Sequence, residues 1–217
     1  GASHAADGYA RATGKVGVVI ATSGPGATNL VTGIATAYLD SIPLVAITGN
    51  VVSSHIGSDS FQEIDITGIT LPITKHNYVI GCVEELAETI REAFRLALSG
   101  RPGPVLIDIP KDIQIAKCEY EPKAPSVPEE RTQADDICVK EAAECISAAE
   151  RPFIYFGGGL ISSHAEDELL QLAELIDAPI GCSLMGISGI STDHPRFLGM
   201  QGMHGHFASS MAMHRAD

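Results

Sequence analysis

The sequence has 217 residues, 45% of them hydrophobic, and its 14 Lys and Arg against 27 Asp and Glu give a formal net charge of −13. This composition predicts a soluble globular chain, long enough for one large domain or two modest ones, and excludes a disordered polypeptide. The few basic residues argue against nucleic acid or an anionic membrane as the main partner, because phosphate binding requires clustered Lys and Arg.

The cysteines, the apolar runs and the chain ends favour a piece of a cytoplasmic protein. Five cysteines, an odd number without a C-x-x-C pair, favour a reducing compartment over a disulfide framework or a zinc ribbon. Every apolar run is shorter than the roughly 18 residues of a membrane helix, so we expect no span. The chain begins inside a predicted helix, "ASHAADGYARATG", without an initiator Met. We therefore expect an internal piece of a longer polypeptide, and a preceding signal peptide stays an open alternative.

The first half of the chain alternates helical periods with short β-branched runs. Helices are predicted to end at Gly14 and to cover 27–39 and 84–99, and buried strands to cover 16–22, 43–49 and 103–110. This alternation predicts an α/β fold with parallel strands and right-handed crossovers. We assign residues 1–118 to this domain.

A second α/β pattern follows a segment rich in proline and charge. Residues 119–135 are predicted to be a linker because they show neither the helical nor the strand period. After it come helices over 136–149 and 164–176, strands over 152–156 and 179–184, and the glycines 157–159. The 82 residues from 136 to 217 are few for a doubly wound sheet, so we expect a truncated domain.

Two polar loops follow the first two strands. The segment "TSGPGATN", residues 22–29, lies between a strand and a helix, where backbone N–H groups can bind an anion or a ring. It lacks the Lys-Ser/Thr of a P-loop and the third Gly of a dinucleotide fingerprint, so a purely structural turn is an equal alternative. The segment "GSDSFQEIDITG", residues 57–68, is either a ligand loop or a solvated loop anchored by Phe61.

Four other parts of the sequence allow two interpretations each. Lys75 is either a solvated surface residue or a ligand contact, and Arg101 either complements a helix dipole or binds a cofactor. The segment "LGMQGMHGHFA", residues 198–208, and the glycines 157–159 suit close approach of a flat ring, or ordinary packing. His204 and His206 lack a third ligand at a known spacing, so we predict no metal site.

Four segments together closely resemble the catalytic subunits of the acetolactate synthase family of thiamine diphosphate enzymes. They are "HAADGYARATGKVGVVIATSGPGATNLVTGIATAYLDSIPLVAITGNV", "IGSDSFQEIDITGITLPITKHNYVI", "SGRPGPVLIDIPKDI" and "LGMQGMHG", and they run in order through nearly the whole chain. The resemblance implies a pyrimidine-binding parallel-sheet domain followed by part of a Rossmann-like central domain that binds FAD. It also implies decarboxylation of pyruvate and transfer of the two-carbon unit to a second 2-oxo acid, for branched-chain amino-acid synthesis.

The resemblance carries over to particular residues. Gln62 corresponds to a glutamine at the thiamine and substrate end, with Pro25 and Asn29 beside the aminopyrimidine and Phe61 lining the pocket. Lys75 and Lys111 correspond to lysines of the substrate channel. The positions that correspond to FAD contacts are Arg101, Gly158, Gly159, Ser183, Leu184, Met203, His204 and Gly205.

Other parts of the implied machinery lie outside the sequence. The glutamate that activates thiamine diphosphate is expected just before Gly1, and the Mg²⁺ and diphosphate ligands belong to a third domain. We therefore expect this chain alone to be inactive. The resemblance further implies a homodimer or tetramer and a possible regulatory small subunit.

The sequence departs from the family pattern at three positions, and two functions other than acetolactate synthesis stay open. Residues 49–52 read G-N-V-V where the family often has G-Q-V-P, so Asn50 and Val52 depart from the pattern. Ser60 stands where Ala is common, so substrate preference and herbicide response stay open. The rivals are another flavin-containing thiamine enzyme, such as a pyruvate oxidase or another carboligase, and a non-enzymatic nucleotide-binding α/β module.

Overall fold

The computed structural model describes residues 1–124 and 134–217, and the chain divides into two compact units, Gly1–Arg131 and Thr132–Asp217. Much of the predicted linker 119–135 lies outside the described residues, and the domain limits at 118 and 136 stay predictions. The two units are described separately below.

The first unit alternates helices and strands. Its strands are β1 (Gly17–Ala21), β2 (Leu44–Asn50), β3 (His76–Val79) and β4 (Pro104–Pro110). Its helices are α1 (Ala2–Thr13), α2 (Pro25–Thr28), α3 (Val31–Leu39), α4 (Ile66–Thr70), α5 (Val83–Leu98) and α6 (Lys111–Ile115). Gly14 ends α1 in the left-handed conformation at φ 69°, which confirms the predicted stop.

The strands of the first unit form one parallel sheet in the order β1-β2-β4-β3. All seven residues of β4 are buried, as expected of a central parallel strand covered by helices on both faces. Leu44 and Leu106 pack on one face with Ile34 of α3, while Val45 and Ile107 pack on the other face beneath α5. Full burial of each such side chain stabilises the fold by about 1.5–3 kcal/mol.

The strand β3 was not predicted from the sequence. It pairs only with β4 at the border of the sheet, and His76 and Val79 are exposed. An edge strand buries little side-chain surface, so its residues show no apolar run. The predicted strands over 16–22, 43–49 and 103–110 are confirmed within one or two residues.

The second unit contains a smaller parallel sheet in the order β5-β6-β7. Its strands are β5 (Ile154–Phe156), β6 (Ile180–Cys182) and β7 (Phe197–Met200). Its helices are α7 (Asp136–Ala148), α8 (Gly158–Ser163), α9 (Glu166–Leu175) and α10 (Phe207–Arg215). Phe156, Ala173 and Ile180 form its core. Both units are thus α/β with parallel strands, which confirms the predicted fold class.

Candidate functional site

Two loops of the first unit meet at the carboxyl edge of its sheet. Gly24 follows β1 with φ 60° and ψ −121°, a conformation that favours glycine. A Cβ atom on Gly24 would lie 2.9 Å from the carbonyl oxygen of Gln62 and 3.1 Å from its Cα atom. The loop after β2 therefore lies directly against the start of α2, and this brings Gln62 near Pro25 and Asn29 at the edge where parallel α/β sheets bind ligands.

The side chains of this edge are open to a ligand. Pro25, Asn29 and Gln62 are exposed, and Phe61 is 88% exposed. Within the described part of the chain, the amide groups of Asn29 and Gln62 have no hydrogen-bond partner, which leaves donors and acceptors for a heterocycle or a carboxylate. Gln62 has φ 62°. This backbone conformation costs a non-glycine residue of order 1–3 kcal/mol, and it persists only where the surrounding contacts impose it.

Glu63 imposes the conformation of this loop, a role that the sequence analysis missed. One carboxylate oxygen accepts the backbone N–H of Gly57, and the other accepts the backbone N–H of Ser60 at 2.8 Å and its hydroxyl at 3.0 Å. The N–H groups of Gly57 and then Ser60 lower the pKa of Glu63, because they stabilise the charged form. The only sequence signal for this role was a carboxylate next to Gln62.

A buried carboxylate joins the carboxyl ends of β2 and β4. Asp108 is 1% exposed and accepts hydrogen bonds from the hydroxyl of Thr48 at 2.6 Å and from the side-chain amide of Asn50 at 2.5 Å. Burial raises the pKa of Asp108, and these two hydrogen bonds oppose that shift. The Asn50 oxygen in turn accepts the N–H of Val51 at 2.8 Å, so Asn50 fixes the start of the loop. A single acid within an apolar run was the only sequence signal.

Helix α6 fixes the same loop from the other side. The Asp112 carboxylate accepts the backbone N–H of Ser53 at 2.9 Å and its hydroxyl at 3.0 Å, and the first of these contacts lowers the pKa of Asp112. The neighbouring Lys111 is exposed, and its backbone N–H donates to Val51. Lys111 therefore lies at the same edge of the sheet as Gln62.

Two predicted site residues lie at the opposite edge of the sheet. Lys75 precedes β3, and its ammonium donates to the carbonyl oxygens of Leu96 and Ser99 at the end of α5. Arg101 precedes β4 and donates to the Ser41 hydroxyl at 2.6 Å and to the carbonyl of Leu39. In a parallel sheet the amino ends of the strands share one edge, so the structure does not bring these cations together with Gln62.

Three loops also meet at the carboxyl edge of the second sheet. A Cβ atom on Gly157, after β5, would lie 3.2 Å from the Ser183 hydroxyl, after β6. The N–H of Gln201, after β7, donates to the carbonyl of Cys182 at 2.8 Å. This edge carries most of the residues that the resemblance assigned to FAD: Gly158, Gly159, Ser183, Leu184, Met203, His204 and Gly205.

The loop after β7 leaves no space for a side chain at Gly205. A Cβ atom on Gly205 would lie 2.3 Å from the carbonyl oxygen of Met200, and the N–H of His206 donates to that same oxygen at 2.8 Å. Met203 is 92% exposed and Leu184 71% exposed. Exposed apolar side chains beside closely folded backbone fit the flat, partly apolar surface of a flavin ring.

Among residues 1–124 and 134–217, no three His, Cys, Asp or Glu side chains are grouped to hold a metal ion. No helix in this described part is long and apolar enough to cross a membrane.

Family comparisons agree with this architecture. The model of the thiamine pyrophosphate enzyme, N-terminal TPP binding domain, matches residues 1–69, and the model of the central domain of these enzymes matches residues 139–217. The chain thus matches the N-terminal and central domains of thiamine pyrophosphate enzymes over these residues.

Comparison with individual relatives indicates which thiamine pyrophosphate enzymes the chain resembles. The chain is 52% identical to an acetolactate synthase of Arthrospira platensis, over 100% of this chain and 39% of the relative. It is 51% identical to a probable acetolactate synthase large subunit of Methanocaldococcus jannaschii and 49% identical to the acetolactate synthase isozyme 2 large subunit of Escherichia coli, over all of this chain and 38% and 39% of those relatives. The chain is similar over its whole length to these acetolactate synthases, and it spans about two fifths of the length of these relatives.

Proposed function

We propose that the polypeptide carrying this chain decarboxylates pyruvate and transfers the two-carbon unit to a second pyruvate or to 2-oxobutanoate, as an acetolactate synthase of branched-chain amino-acid synthesis. The observation that carries the proposal is the contact of Gly24 with Gln62, which unites two ligand loops at the carboxyl edge of a parallel sheet. The similarity to acetolactate synthases and to the N-terminal domain of thiamine pyrophosphate enzymes supports this class of reaction.

The residues of this edge fit thiamine diphosphate. Gly24 and the first turn of α2 allow close approach to the backbone, and Asn29 and Gln62 offer amide groups without a partner in the described residues. When bound, the cofactor supplies the carbon nucleophile that decarboxylation of a 2-oxo acid requires. In this proposal Gln62 is the one catalytic residue of the chain, because its amide would orient the cofactor and the bound acid.

Other residues at this edge would shape the site. Phe61 would cover the reacting groups and exclude water, which strengthens the polar interactions around them. Lys111 lies at the correct edge to attract the carboxylate of a 2-oxo acid entering the channel. The same role for Lys75 has less support, because carbonyl oxygens of α5 already hold its ammonium.

The activating glutamate is proposed to precede Gly1, and the packing of α1 supports this position. Ser3 packs against Gly33 in the first turn of α3, since a Cβ atom on Gly33 would lie 2.3 Å from the Ser3 hydroxyl. Because α3 follows β1, its first turn lies at the carboxyl edge of the sheet, and the first turn of α1 lies there with it. A residue just before Gly1 would therefore be close to the cofactor loops.

The second unit is proposed to bind FAD. The close approach at Gly157 and Gly205 and the exposed Met203 and Leu184 fit a flavin ring in a structural role. Arg101 is a weaker candidate for this site, because Ser41 and Leu39 occupy its guanidinium. The ligands of Mg²⁺ are proposed to lie outside this chain.

The assembled enzyme is proposed to be a cytoplasmic homodimer or tetramer. Five free cysteines in the described residues support a reducing compartment. A regulatory small subunit is a further proposal, because several relatives carry the name large subunit.

The first test is an assay of the polypeptide that carries this chain, with pyruvate, thiamine diphosphate, Mg²⁺ and FAD. We expect acetolactate without matching O₂ uptake, whereas O₂ uptake equal to pyruvate consumption would indicate an oxidase. This chain alone should form no acetolactate above the blank. Purification with bound NAD and no yellow flavin would favour a nucleotide-binding module instead.

A further inference from the structure

Glu63 is the common acceptor of the loop that presents Phe61 and Gln62. Its two carboxylate oxygens accept the N–H of Gly57 and the N–H and hydroxyl of Ser60. These partners lie six and three residues before Glu63, so the carboxylate closes the segment 57–63 into a ring. The N–H of Glu63 adds a bond to the Ser60 carbonyl at 2.9 Å.

The ring forces an unusual backbone on the residues inside it. Asp59 has φ 56° and Gln62 has φ 62°, and both side chains carry a Cβ atom that disfavours this region. Residues keep such conformations only where the surrounding contacts impose them. Without the Glu63 carboxylate, Gln62 would relax to negative φ, which would move its side chain away from its position beside Gly24.

The contacts of Glu63 favour its ionised form. Both of its oxygens accept hydrogen bonds, and the N–H groups of Gly57 and Ser60 lower the pKa of its carboxyl, so it stays ionised at neutral pH. A general acid or base works best with a pKa near the working pH, and these contacts move the pKa of Glu63 away from it. The contacts therefore indicate a role in the shape of the loop.

We propose that Glu63 is a positioning residue, whose carboxylate holds Gln62 in the geometry that the reaction requires. This inference rests on the proposed function for the role of Gln62, but the clamp itself rests only on the contacts of Glu63. The two parts can therefore be tested separately.

The experiment compares Glu63→Gln with the control Glu119→Gln in the polypeptide that carries this chain. Glu119 is an exposed glutamate of the same unit that makes no hydrogen bond to another described residue, so its replacement tests only the loss of a surface charge. Hydrogen exchange of the segment 57–62 measures the clamp, and kcat and KM for pyruvate measure its consequence. We expect Glu63→Gln to accelerate exchange in that segment alone and to lower kcat about 10- to 100-fold, since a displacement near 1 Å can cost about 100-fold. Glu119→Gln should change neither quantity.

A double variant separates positioning from general structural damage. If Glu63 acts through Gln62, then adding Glu63→Gln to Gln62→Ala should lower kcat by less than about 2-fold, because the positioned group is already absent. Full additivity of the two changes would overturn the positioning role. Unchanged exchange in Glu63→Gln would overturn the clamp. If the unchanged polypeptide forms no acetolactate, the proposed function and the catalytic part of this inference both fail, and exchange still decides whether Glu63 holds the loop.

Discussion

Replacing Gly24 by Ala should damage both the stability of the first unit and the function of Gln62. The new Cβ atom would meet the Gln62 carbonyl oxygen at 2.9 Å, its Cβ at 3.0 Å and its Cα at 3.1 Å, and two of these atoms are backbone. A positive φ costs an alanine about 1–2 kcal/mol, and crowding of a packed contact costs about 1–3 kcal/mol more. We expect a loss of about 2–5 kcal/mol in the free energy of unfolding.

The matched control is Gly14→Ala. Gly14 also has positive φ, at 69°, but a Cβ atom there would meet nothing within 4 Å. The free energy of unfolding of Gly14→Ala should therefore fall only by the conformational cost of a positive φ, about 1–2 kcal/mol. Urea denaturation monitored by hydrogen exchange measures the unfolding of the first unit separately from that of the second.

Activity gives the second part of the same prediction. The loop of Gln62 is exposed and can move away from the new methyl group, so Gly24→Ala should lower kcat about 10- to 100-fold through displacement of Gln62. Gly14→Ala should keep its kcat within about 2-fold of the unchanged polypeptide once it is folded, because it lies at the other edge of the sheet. Equal stability and equal kcat for the two variants would refute the contact between the loops.

Further predictions concern the buried carboxylate and the loop after β7. Asp108→Ala leaves the donors of Thr48 and Asn50 without an acceptor and should cost about 2–4 kcal/mol, measured by urea denaturation. Burial raises the pKa of Asp108 above its ordinary value of 3.8, so the folded state holds the carboxyl proton more tightly than the unfolded state does. The contribution of this proton to the free energy of unfolding is therefore complete below pH 3.8 and is lost as pH rises through the raised pKa. The cost of Asp108→Ala should thus be largest in acid, and a cost that grows with pH would contradict this sign. Gly205→Ala places a methyl group against the Met200 carbonyl and should lower the flavin absorbance per polypeptide, while full flavin content would argue against a site at this loop.

Local signals in the sequence were sufficient for much of the fold. The β-branched runs at β1, β2 and β4 predicted buried parallel strands, because a strand covered on both faces must be apolar at consecutive positions. Gly14 predicted the end of α1, because only glycine enters the left-handed region without a steric cost. These features depend on neighbours in the chain, so they can be identified before any tertiary contact is known. The strands β3 and β7 were missed, because their residues are only partly buried and show no apolar run.

The motifs also pointed to the two proposed ligand loops, but not to the groups that hold them. The glycines after β1 and the sequence around Gln62 carried the resemblance to thiamine diphosphate enzymes, and the family comparisons confirm that resemblance. The sequence alone could not assign partners to Lys75, because its ammonium reaches carbonyl groups of α5, more than twenty residues along the chain.

The sequence by itself determined the α/β class, the resemblance to acetolactate synthases and the segments that form the proposed site. Only the tertiary structure decided which residues support that site. Thr48 and Asp108 are 60 residues apart and meet because β2 and β4 pair in parallel at this register, while Glu63 closes its loop through contacts that follow no fixed spacing. Such bonds depend on strand order, register and the path of a loop, which arise only when the chain packs.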